Sequence, residues 1–110
     1  MTEDTINDIE AKIKASASIN EDHKRELLHM LDTLKTEIAS LSRTDSEQAQ
    51  SIAGFTELSA HEATRSEQNP ELLKLSLKGL SSSVDGFETS HPRLVQTVNA
   101  ISNMLSNWGI

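Results

Sequence analysis

From Leu27 to Leu41 the apolar residues stand at 27, 31, 34, 38 and 41, the four-and-three spacing of an α-helix packed lengthwise against a neighbour. A strand would need alternation with period two, which is sustained nowhere, and four glycines and two prolines leave little to interrupt helical runs. Similar spacing recurs in Ile6, Ile9 and Ile13, in Ala49, Ala53, Thr56, Ala60 and Ala63, in Leu73, Leu77, Leu80, Val84 and Phe87, and in Leu94, Val98, Ile101, Leu105 and Trp108. The pattern predicts an all-α fold, an antiparallel helical bundle of four to five helices with coiled-coil-like seams. It forms a single domain over residues 1–110, with helices near 4–16, 20–42, 45–66, 70–88 and 92–108.

Polar punctuation sets these limits. Asn69-Pro70 reads as an N-cap followed by a proline at the first helical position, and His91-Pro92 forces a non-helical residue before another helix start. The second helix is capped either by Ser18, in a box with Glu21, or by Asn20 directly. Thr44 and Glu47 form a similar box that breaks residues 20–66 into two helices, unless the segment is one long bent helix. Gly109 is placed to end the last helix. In the fourth, Ser76, Gly79, Ser83 and Gly86 line a face beside Leu72 and Leu75; either a neighbouring helix approaches closely there, or the glycines mark a kink or fraying. The shared core is expected to hold Leu31, Leu34, Ile38, Leu77, Leu80, Val84, Val98 and Ile101.

Composition narrows the function classes. Hydrophobic residues are 35% of the chain, below the roughly 45–50% of an average soluble domain, which predicts a thin, elongated or oligomeric molecule. The net charge of −7 repels phosphate backbones and anionic lipid, and Phe55, Phe87 and Trp108 are too scattered to stack bases, so nucleic acid is not an expected partner. Without cysteine there is no disulfide and no thiolate chemistry. The acidic opening Met1-Thr2-Glu3-Asp4 leads into no apolar run, so no secretory leader is expected and the cytoplasm is the expected compartment. Residues 94–110 carry no Asp, Glu, Lys or Arg, yet Gln96, Asn99, Asn103 and Asn107 interrupt them too often for a membrane span.

Catalytic patterns are incomplete. His61-Glu62 begins a His-Glu-x-x-His zinc motif whose second histidine is missing, since Arg65 stands in its place. Glu26-x-x-His29 and Glu88-x-x-His91 have the spacing found in di-iron bundles, but His29 lies opposite the leucine seam and His91 sits on a turn. No glycine-rich phosphate loop and no nucleophile elbow exists, so no cofactor, metal or catalytic residue is assigned and the chain is read as a non-enzyme. One turn keeps a candidate functional reading: Glu88, His91 and Arg93 cluster around Pro92, where every residue also has a capping role.

That turn, Phe87-Glu88-x-Ser90-His91-Pro92-x-Leu94, with a following helix that ends Leu105-x-x-x-Gly109-Ile110, resembles the ending of a family of short bacterial helical proteins known only as a domain of unknown function. The Leu27-Leu28-x-x-Leu31 helix is also similar to that family. The resemblance implies a bacterial, stand-alone helical protein and carries no activity, cofactor or site residue to transfer.

The resulting expectation is a non-enzymatic, self-associating helical interaction or structural protein, a homodimer or higher. Its interface is expected on the charge-free last helix, at Leu94, Val98, Ile101, Met104, Leu105 and Trp108, because interface centres are depleted of charge and rich in aromatic residues and Met. The alternative is an acidic regulator that sequesters a basic protein, since residues 1–50 hold 11 acidic and 6 basic side chains, net −5.

Overall fold

The structure is a computed structural model and describes residues 2–17 and 19–108. The leucine seam closes into a helix, Glu21–Ser42, in which Leu27, Leu31, Leu34, Ile38 and Leu41 are the buried residues. Numbered in chain order, this is α2. It follows α1 (Thr2–Ala15), buried through Ile6, Ile9 and Ile13, and precedes α3 (Ser46–Thr64), α4 (Pro70–Ser83) and α5 (Pro92–Trp108). No strand occurs among the described residues.

The caps explain where the helices start. The Asn20 side chain accepts the backbone N–H groups of Asp22 and His23, at 2.7 and 3.4 Å, so Asn20 caps α2; Ser18, the other candidate, lies outside the described residues, as does Gly109. Between α2 and α3 the chain turns through Arg43, Thr44 and Asp45, so residues 20–66 form two helices. The cap of α3 is Asp45, whose carboxylate accepts the Gln48 N–H at 3.1 Å, while the Thr44 hydroxyl turns back to the Leu41 carbonyl. The expected Thr44–Glu47 box is displaced by one residue because Asp45 offers the better acceptor. Asn69 caps α4 as expected, with Pro70 in the first turn. Replacing Asn69 by Ala should cost about 0.5–2 kcal/mol in urea unfolding, and a change within experimental error would show that the cap carries no weight.

α4 ends at Ser83, five residues before the expected limit of 88. Ser83 and Ser76 donate their hydroxyls to the Leu80 and Leu73 carbonyls, competition that weakens a helix interior. Val84 then leaves helical geometry, and Gly86 takes φ +93°, a conformation a side chain would strain. Val84 still reaches the core, now from the turn.

Packing is organised around α3, which touches all four other helices; α1 fits against α2 and α3, and α5 fits among α2, α3 and α4. The Gln48 amide, early in α3, donates to the Ser83 carbonyl at the end of α4, which fixes those two helices as antiparallel. A helix enclosed on several sides needs small side chains, and α3 supplies Ala49, Ala53, Thr56, Ser59, Ala60 and Ala63, all buried. α4 answers with buried Ser76 and Ser83 and with Gly79, whose Cα lies beneath the Phe55 ring. The small face is therefore the close-packed one.

The radius of gyration is 12.9 Å and the extents are 37 × 25 × 21 Å, which overturns the expected thin or elongated shape. Isoleucine, leucine and valine from all five helices and from the α4–α5 turn form one continuous core, and the alanine, serine and threonine of α3 let the helices close around it. Of the eight expected core residues, Leu31, Leu34, Ile38, Leu80, Val84, Val98 and Ile101 are buried. Leu77 is only half-buried, because it sits at the edge of a groove between α4 and α5.

Candidate functional site

The apolar seam of α5 belongs to the fold itself. Leu94, Val98, Ile101 and Leu105 have no exposed surface within the single chain, because α5 lies in the channel formed by α2, α3 and α4. Of the six residues expected at an interface, these four are covered by the chain's own helices. Met104 and Trp108 remain half-buried, while Gln96, Asn99, Asn103 and Asn107 face outward as an uncharged polar surface.

Trp108 closes one end of the bundle. Its ring stacks on His23 of the first turn of α2, with centroids 5.8 Å apart and planes 28° from parallel. The Gln68 amide donates to the carbonyls of Ala63 and Trp108, at 2.7 and 3.3 Å, and so ties the end of α5 to the α3–α4 linker. A cleft of about 540 Å³, which includes Arg65 and Asn20 in its walls, lies on one side of the indole, and one of about 380 Å³, with Glu26 and Met30, lies on the other. His23 was not singled out in the sequence; only the antiparallel pairing of α2 with α5 brings it to Trp108. Nearby, Glu62 is buried on α3 and accepts a charge-assisted hydrogen bond from Arg65 at 3.0 Å, which compensates its removal from water.

The Glu88, His91 and Arg93 turn acts as a helix start. The His91 backbone N–H donates to the Phe87 carbonyl at 2.8 Å, its carbonyl accepts the Val95 N–H at 3.2 Å, and its ring stacks on Phe87 with planes 5° from parallel. Glu88 and Arg93 are exposed, and among the described residues neither makes an ion pair or a side-chain hydrogen bond. The structure does not gather these three side chains into an acid–base pair. His29 and His61 are likewise exposed, and no group of three or more metal-binding side chains occurs among the described residues.

The surface feature with physical consequence is apolar. Leu58, Leu72 and Leu75 are the exposed large hydrophobic residues, at 45%, 43% and 62% of full exposure. In α3, Leu58 follows Phe55 by three residues; in α4, Leu75 and Leu72 precede Gly79 by one and two turns. Phe55 lies over Gly79 and the helices are antiparallel, so all four apolar side chains fall along one edge of the α3–α4 hairpin. Sequence periodicity missed this edge: Leu72 and Leu75 stood beside the small-residue stripe with nothing to say which face was inward.

Among the described residues no helix is long and apolar enough to cross a membrane. The family described as Domain of unknown function (DUF4404) matches residues 27–110, from within α2 through the whole of α5. No curated protein and no solved structure matches the chain.

Proposed function

Because the chain belongs to the DUF4404 family of domains of unknown function, whose description assigns no activity, we propose from its geometry that it is a non-enzymatic, self-associating helical interaction protein. The observation that carries this reading is the exposed edge of Leu58, Leu72 and Leu75, bordered by half-buried Phe55. Single exposed leucines are ordinary; three along one hairpin edge form an apolar strip that a second molecule would remove from water. Among the described residues the Thr56 hydroxyl on α3 donates to the Ile52 carbonyl and no group of three metal-binding side chains occurs.

Sedimentation of the wild-type chain across the micromolar range tests the proposal. Wild type should shift from monomer to dimer with concentration. Leu75→Ser should reduce that association and leave the helical signal and melting midpoint nearly unchanged, since Leu75 is 62% exposed. Asn103→Asp, on the polar face of α5, should have no effect on association. A wild-type chain that stays monomeric throughout would defeat self-association. It would favour the rival reading of an acidic regulator, which rests on the net −5 of residues 1–50.

A further inference from the structure

We infer that a second copy of this chain docks along α4, with the two α4 helices antiparallel about a two-fold axis. This rests on the self-association proposed above and specifies its geometry.

The outer face of α4 reads Glu71, Leu72, Leu75 and Lys78. Successive helical residues are turned by about 100°, so these four span a sector of about 120° centred near Leu75, from the Phe55 edge at Leu72 to the α5 groove at Lys78. All four are exposed, and among the described residues neither Glu71 nor Lys78 has an ion-pair partner. The order is acid, leucine, leucine, base. When a copy is laid antiparallel across this face, Leu72 meets Leu75 of the partner subunit and Leu75 meets Leu72 of the partner subunit. The same register sets Glu71 opposite Lys78 of the partner subunit, the flanking position in an antiparallel coiled-coil pair. The two-fold axis repeats every contact, so one apolar pair and one charge pair each occur twice. A parallel arrangement would hold Glu71 and Lys78 of the partner subunit about 10 Å apart along the axis and form no charge pair.

Leu58 and Phe55, on the neighbouring α3 edge, extend the apolar strip beside this contact. The surface is small, so the complex belongs to the weak, exchanging class rather than to obligate dimers. Its charge pairs are open to solvent, and added salt should weaken it.

Charge reversal provides the test. Glu71→Lys and Lys78→Glu should each weaken self-association roughly tenfold, because two exposed attractions become two repulsions. Glu71→Lys/Lys78→Glu in one chain should restore dimerisation to near the wild-type level. Mixing the two single variants should form a heterodimer, since both charge pairs are then complementary. Melting midpoints of each variant monitor folding separately, because Glu71→Lys also removes an acid from the first turn of α4. Mixing that fails to produce association, or a wild-type dimer indifferent to both reversals, overturns the α4 geometry and leaves self-association through another face standing. A wild-type monomer at all concentrations overturns both.

Discussion

Leu34→Ala should lower the free energy of unfolding by about 3–5 kcal/mol. Leu34 lies at the middle of the α2 seam with no exposed surface, on the helix that touches α1, α3 and α5. Truncation removes three carbons from a site walled on three sides by rigid helices, so the lost transfer energy, about 0.8 kcal/mol per methylene, is joined by the cost of a cavity that cannot collapse. Against a total of roughly 5–15 kcal/mol for an ordinary domain, this is a large share. Urea melts read the loss directly. The control is Asp32→Ala, two residues away on the exposed side, where the ion pair to Lys35 at 3.7 Å is a surface contact; its effect should stay within about 0.5 kcal/mol. A loss under about 1 kcal/mol for Leu34→Ala would contradict the packing of α2.

Gly79→Leu should destabilise by about 1–3 kcal/mol even though leucine is a far better helix former, worth nearly 1 kcal/mol over glycine. A Cβ at Gly79 would stand 2.6 Å from Phe55 Cδ1 and 2.8 Å from Cζ, closer than carbon atoms approach, so the ring must leave its place between α3 and α4. The cause can be isolated. Gly79→Ala adds the same Cβ and should also destabilise the wild type; in a Phe55→Ala background the obstruction is gone, and Gly79→Ala should then stabilise by close to 1 kcal/mol. The change of sign between backgrounds is the coupling expected of two residues in contact. If both backgrounds respond alike, Phe55 does not rest on Gly79.

Periodicity made the helices legible and left ownership of their faces undecided. The α5 seam at Leu94, Val98, Ile101 and Leu105 was readable as covered, yet a covered face looks the same in sequence whether the cover is the chain itself or another copy. The fourth helix was read past Ser83 because Val84 and Phe87 continue the apolar rhythm; the hydroxyl competition at Ser83 and the positive φ of Gly86 stop it, and neither is visible in an apolar pattern. Of the expected thin, elongated or oligomeric forms, the single chain takes neither of the first two, because α3 is buried largely through alanine, serine and threonine, and the two hydroxyl residues do not enter an apolar percentage. Asn20, Asn69 and Pro70 were legible because capping is local: the donors satisfied lie two or three residues away. His23 against Trp108 was not, because 85 positions separate them in the chain.

The central position of α3 has a consequence for how this sequence can vary. Among the described residues α1 and α4 make no direct contact, although both pack on α3. Substitutions at Ile6 or Ile9 and substitutions at Leu73 or Leu80 therefore meet only through α3, and any departure of their effects from additivity has to pass through that helix. α3 alone answers to both, so the freedom to enlarge a side chain is least at Ala49, Ala53, Ala60 and Ala63.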